Sequence, residues 1–250
     1  MKNTGISHSR RRVVKAAATG VAGMMLAPRF VGANSDIRVA VIGLGNKGSQ
    51  HVKVFRKMPG VRVAALCDVD PKRLAKHTAT FDEVFSTTDP RRVLDRTDVD
   101  AVVIATPDHW HVVLAVWACQ AGKDVYVEKP ISHNIWEGRK IVEAAAKYNR
   151  VAQAGLQYRS DPGLQEAAEY LHGGALGKML WGHVVWYELR GSIGNVAPHT
   201  PQDLDYDLYC GPAEVKPLRR EKLHYDWHWL WSTGTGDLGN SGVHAYDPVS

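Results

Sequence analysis

The chain of 250 residues has only three cysteines, Cys67, Cys119 and Cys210, and no CxxC pair. An odd number in apolar surroundings excludes a disulfide framework and leaves buried thiols, even for a protein working in an oxidising compartment. The HExxH motif is also missing. His224 and His228 have the i, i+4 spacing of a metal pair but no such glutamate and no third ligand, so no metal site is expected. No apolar run is long enough to span a bilayer, since the stretch from Ala16 to Val31 is short and rich in glycine. A basic surface is lacking too. The formal charge of +5 falls to −1 once residues 1–33 are set aside, because they hold Lys2, Arg10, Arg11, Arg12, Lys15 and Arg29 and no acid. Neither nucleic acid nor an anionic membrane is then an expected partner.

Those first 33 residues read as an address. Ser9 to Lys15 is SRRRVVK, a twin-arginine pattern, followed by the weakly apolar stretch and by the small-residue site Val31-Gly32-Ala33. This is the pattern of a Tat-type signal peptide. A nucleic-acid-binding arm fits it badly, because an apolar stretch follows and no aromatic residue sits among the arginines. The protein is therefore expected to be periplasmic or exported. The Tat route carries folded proteins, and the space outside the cytoplasm holds no free pool of soluble cofactors, so any cofactor is expected to be tightly held.

Beyond the leader, Ile37 to Gly48 reads IRVAVIGLGNKG, a Val/Ile strand that breaks straight into GxGxxG, and Asp68 follows twenty residues after the last glycine. Gly43 permits the tight turn, Gly45 lets the backbone approach a pyrophosphate, and Gly48 lets the next helix pack on the strand. The helix N-terminus, with Asn46 and Lys47, then faces an anion. Asp68 closes a second strand, VRVAALCD, with a carboxylate that accepts hydrogen bonds from ribose hydroxyls and repels a 2′-phosphate. The expected cofactor is NAD, with NADP disfavoured.

Strand and helix alternate further on. Helices are expected over Asn46 to Met58, Pro71 to Thr80, His109 to Gly122 and Glu137 to Tyr148, and strands over Asp100 to Ala105, Asp124 to Val127 and Val151 to Leu156. This βαβ rhythm predicts an α/β fold with a doubly wound parallel sheet, whose ligands gather at the carboxyl ends of the strands. The site residues should therefore follow the strands: Gly43 to Gly48, Asp68, Thr106 to His111, and Glu128-Lys129-Pro130.

With VYVEKP at one strand end, ATPDHWH at the previous one and GVHAYD far downstream, the chain resembles the Gfo/Idh/MocA family over nearly all of residues 36–250. The resemblance implies a Rossmann NAD-binding domain over 34–155, after the leader at 1–33. An α+β domain that binds substrate and forms the oligomer interface follows over 156–250, incomplete at its C-terminus because about a hundred residues is at the low end for an independent domain. A homo-oligomer is implied for the full-length protein. The resemblance places Lys129 between nicotinamide and substrate, with Glu128 and Pro130 completing its motif. It puts Thr106 and Pro107 beside the nucleotide and matches His111 to the histidine that follows them. His244 corresponds to the family's second catalytic residue in a D-x-x-x-H pattern, with Asn240 where many members have aspartate. Lys129, His244 and Asn240 are the catalytic candidates. An i, i+4 pair shares one helix face. Asp237 either partners His244 or caps that helix.

The second half is rich in rings, among them Trp181, Trp186, Trp227, Trp229, Trp231, Tyr187, Tyr206, Tyr209 and Tyr225. They either stack on pyranose faces or fill a second-domain core, with core packing expected for most. Three functions remain open: an exported oxidoreductase acting on a secondary alcohol of a sugar or cyclitol; a glycosidase that uses NAD transiently, through oxidation and elimination; and a non-catalytic nucleotide-binding fragment.

Overall fold

The computed structural model describes residues 36–187 and 189–249. The twin-arginine leader lies outside the described residues. Six parallel strands form one sheet in the order β3-β2-β1-β4-β5-β6: β1 Ile37–Ile42, β2 Val61–Cys67, β3 Phe85–Thr87, β4 Ala101–Ile104, β5 Asp124–Glu128 and β6 Ala152–Gly155. The helices between them are α1 Asn46–Phe55, α2 Pro71–Thr78, α3 Pro90–Leu94, α4 Asp108–Gln120 and α5 Ile135–Tyr148. This is the doubly wound arrangement, with the order reversing between β1 and β4.

Alternation along the strands divides the core between two faces. Ala40 and Ile42 join Val102, Ile104, Val125 and Val127 beneath Leu114, Ala118 and Ile141. Val39 and Val41 face the other way, against Val52, Leu66 and Leu74. Strands buried on both faces need continuous apolar sequence, which VAVI and AVVI supply. The register sets the site: Ile42 pairs with Cys67 and with Ile104, and Ile104 pairs with Val127. The next residue of each strand, Gly43, Asp68, Ala105 and Glu128, therefore emerges along one edge.

Helix caps explain several boundaries. Asp70 and Asp89 accept from amides of the first turns of α2 and α3, both of which begin with proline. Asn149 closes α5 in the left-handed region at φ 51°. The three cysteines are free and buried.

After β6 the described chain forms short helices: α6 Pro162–His172, α7 Tyr206–Cys210, α8 Leu223–Asp226 and α9 Val243–Tyr246, with a π-helix at Leu238–Gly242. An antiparallel bridge joins His199 to Leu218. The expected ring-filled second core is not formed among the described residues. Trp181, Tyr187 and Trp231 are exposed at 75%, 93% and 96%, whereas Tyr209 is buried and Trp227 partly so. No described helix is long and apolar enough to cross a membrane.

Candidate cofactor and catalytic site

The strand ends open onto a cavity of about 420 Å³, within the range of small-molecule and cofactor sites. Its walls include Gly43, Gly45, Asn46, Lys47, Asp68, Thr106, Pro107, Glu128 and Lys129, and its far side is closed by Tyr209, His224, Tyr225, Trp227, His228 and Asn240. Gly48 and His111 do not line it. Both lie behind the wall and shape it.

Gly43 has φ +88°, and its amide donates to the Cys67 carbonyl at 2.8 Å. A Cβ here would sit 2.6 Å from the Ala105 carbonyl oxygen, and one on Gly48 would overlap the Gly43 carbonyl oxygen. At Gly45 a Cβ would meet only the tip of Arg73, so this glycine keeps the wall bare above the N-terminus of α1. The Asp68 carboxylate accepts from the Leu44 amide at 2.6 Å and the Asp70 amide at 2.9 Å. Burial pushes its carboxyl up, while those two amides and the Arg73 charge pull it down. Thr106 Oγ1 is buried and has no hydrogen-bond partner among the described residues. A bare glycine turn, a helix N-terminus, a carboxylate closing the second strand and an orphaned hydroxyl fit a dinucleotide.

His111, in α4, reaches two loops. Its Nδ1 lies 2.7 Å from the Pro130 carbonyl and its Nε2 2.9 Å from the Thr106 carbonyl. The ring is 1% exposed and lies behind the residues that line the cavity. Asp108, one turn earlier, accepts from Thr235 through both its amide (3.1 Å) and its hydroxyl (2.7 Å). That contact draws the TGTGDLGN segment over the cleft.

Lys129 reaches into the cavity and donates from Nζ to the main-chain oxygen of Asn240 at 2.5 Å and to its side-chain Oδ1 at 3.1 Å. Burial pushes the Lys129 ammonium below the ordinary lysine value, against the opposing charges of Glu128 and Asp108. Burial also raises the Glu128 carboxyl, but a hydrogen bond from His51 Nε2 at 2.7 Å and the charges of Lys47 and His51 outweigh it, so the group sits below its ordinary value. Gln157 Nε2 donates to the same carboxylate at 3.1 Å.

The expected helical face carrying Asn240 and His244 is not formed. Leu238–Gly242 is a π-helix, whose wider turn breaks the i, i+4 alignment. Asn240 faces Lys129, while His244 packs its ring on Tyr158 at 5.0 Å between centroids and does not line the cavity. Burial first, then the charges of Lys129 and Lys47, lower its pKa. Asp237 neither caps a helix nor meets His244: it accepts from Arg190 Nε at 2.6 Å. His224 Nε2 lies 2.9 Å from Asp70 Oδ2, and His228 turns Nδ1 to the Tyr225 carbonyl at 2.6 Å. The two histidines therefore do not converge.

Sequence reasoning passed over His51 and Gln157, and it placed Asp108 in the site range and Tyr209 among the rings without giving either a contact. Asp108 was reached through its position after a strand, whereas His51 lies one turn beyond the fingerprint inside α1, where no such signal applies. For Tyr209, 100 residues from the histidine its carbonyl meets, no local pattern existed.

This fold and cleft define a dinucleotide-binding protein of the doubly wound α/β class. A family model described as "Oxidoreductase family, NAD-binding Rossmann fold" matches residues 37–156, and one described as "Oxidoreductase family, C-terminal alpha/beta domain" matches 181–250. The chain belongs to the Gfo/Idh/MocA family. It is 36% identical over 152 residues to inositol 2-dehydrogenase 4 of Saccharopolyspora erythraea, covering 60% of this chain and 45% of that one. It is 30% identical over 231 residues to a glycosyl hydrolase family 109 protein of Streptomyces niveus, covering 86% and 41%. Among solved structures, scyllo-inositol dehydrogenase from Lactobacillus casei with bound NAD(H) and scyllo-inositol superposes with a TM-score of 0.54 at 26% identity, covering 57% and 42%. The chain spans less than half the length of each of these relatives. The Rossmann domain is an NAD-binding one.

Proposed function

We propose that the protein is an exported NAD-dependent oxidoreductase acting on a secondary hydroxyl of a sugar or cyclitol, with its cofactor tightly held. The observation that carries this reading is Lys129, a half-buried amine just past the end of β5, held by two oxygens of Asn240 inside the dinucleotide cleft. NAD, when bound, supplies the acceptor for the hydride leaving the carbinol carbon. Removing that hydride requires the hydroxyl oxygen to lose its proton. A neutral Lys129 spends two N–H bonds on Asn240 and keeps its lone pair for that proton, and the depressed pKa makes the neutral form accessible.

Asn240 is tuned for this. Both of its oxygens are neutral, so they orient the amine without a carboxylate's stabilisation of the ammonium. Asn240→Asp should raise the pKa of Lys129 and move the rising limb of the kcat–pH profile upward by about one pH unit or more. An unmoved limb would count against Lys129 as the base.

Asp68 supports NAD over NADP. In Asp68→Ser, NAD binding should weaken and discrimination against NADP should narrow, as read by fluorescence titration with both nucleotides. Wild-type protein that binds the two equally would sink the assignment. Export rests on SRRRVVK alone: with Arg10 and Arg11 changed to lysine, the protein should stay cytoplasmic in a Tat-competent bacterium, and unchanged periplasmic recovery would refute the route.

A second reading is the redox-neutral glycosidase. The alignment to the family 109 protein runs through 86% of the chain, whereas that to the inositol dehydrogenase covers 60%. Following NADH absorbance together with aglycone release from an aryl glycoside decides between the two. NADH without aglycone supports the dehydrogenase, and aglycone without net NADH reverses the order.

A further inference from the structure

His228 itself has no role assigned so far, yet it lines the same cavity as Lys129. Its Nδ1 lies 2.6 Å from the Tyr225 carbonyl oxygen. A carbonyl oxygen only accepts, so Nδ1 carries the hydrogen, and the neutral ring keeps an unprotonated Nε2. Burial lowers the pKa of the ring, and the charge of Lys129 acts in the same direction, which keeps the neutral form in place.

The ring is also held still. It stacks on Trp227 at 3.6 Å between centroids with 20° between planes. The backbone beneath the pair is fixed by the Thr233 hydroxyl, which donates to the Trp227 carbonyl at 2.8 Å. A Cβ on Gly234 would overlap the His228 carbonyl, so only glycine lets the chain turn back beneath the ring. A side chain with fixed rotamer, fixed tautomer and a free acceptor in a cleft has the attributes of a ligand-orienting group.

We propose that His228 is a substrate-contacting residue whose Nε2 accepts a hydrogen bond from a hydroxyl of the polyol that Lys129 deprotonates. This rests on the sugar or cyclitol reading above and assigns to His228 the contact that His244, packed on Tyr158, does not make from its position. Only a hydroxyl, amine or other donor on the ligand satisfies an unprotonated imidazole nitrogen, so an O-methylated position at that point should be rejected.

The experiment is a histidine-ring ¹H–¹⁵N correlation, with His228 assigned through His228→Asn. That variant keeps a donor for the Tyr225 carbonyl but has no Nε2. The protein alone should show a pyrrole-type Nδ1 and a pyridine-type Nε2, and the Nε2 resonance should move when myo-inositol or methyl β-glucopyranoside binds beside NAD, with binding measured by calorimetry. In turnover, His228→Asn should lower kcat/KM about tenfold, the scale of one neutral hydrogen bond, with NAD affinity unchanged. A hydrogen on Nε2, or a polyol that binds without moving that resonance, overturns this assignment alone. Absence of both polyol binding and NADH formation, with the Nδ1–H tautomer present, would remove the substrate reading and this contact with it.

Discussion

Lys129→Ala should lower turnover by about a hundredfold or more, the scale of a lost general base, while NAD affinity stays within error of the wild type. Two observations set the expectation. The Nζ is bound to Asn240 and to none of the residues that shape the glycine turn, so its loss leaves the nucleotide wall intact. Burial meanwhile keeps the amine below its ordinary pKa, so the substitution removes a proton acceptor. Initial rates of NADH formation against a polyol panel, with NAD binding followed by fluorescence, check both halves. Full activity in the variant would discard the site.

Gly48→Ala should abolish measurable NAD binding and reduce stability by about 1–3 kcal/mol or more, the usual cost of forced overpacking. The new methyl group would overlap the Gly43 carbonyl oxygen, which is backbone and cannot swing aside. Relief requires the strand-to-helix turn to open, and that turn also holds the Leu44 amide on Asp68. One methyl group therefore disturbs both the phosphate end and the ribose end of the cleft. Thermal unfolding and NAD titration measure the two effects, and a variant that binds NAD normally would contradict the packing described.

Most of the Rossmann half was legible because its constraints are local. An apolar run, a glycine at a positive φ and a carboxylate closing the next strand each follow from neighbouring residues. The short pair β3 and α3 escaped notice, since Phe85–Thr87 is three residues long and carries no periodicity, although Asp89-Pro90 was a usable helix start. Past Gly155, long-range partners replace periodicity. Asn240 meets Lys129 across 111 positions and Thr235 meets Asp108 across 127, separations that no pattern within a window reports. His244 shows the converse error. Its spacing from Asn240 promised a shared face, and a π-helix, decided by how the segment docks, removed it.

The imidazole of His111 acts as a cross-tie. Because its two nitrogens sit within hydrogen-bond distance of the Thr106 and Pro130 carbonyl oxygens, the loop ahead of α4 and the loop that roots Lys129 pack on a single ring, all within residues 106–130. The same tie predicts that damage at either loop is felt at the other, as in a bridge whose spans share one pier.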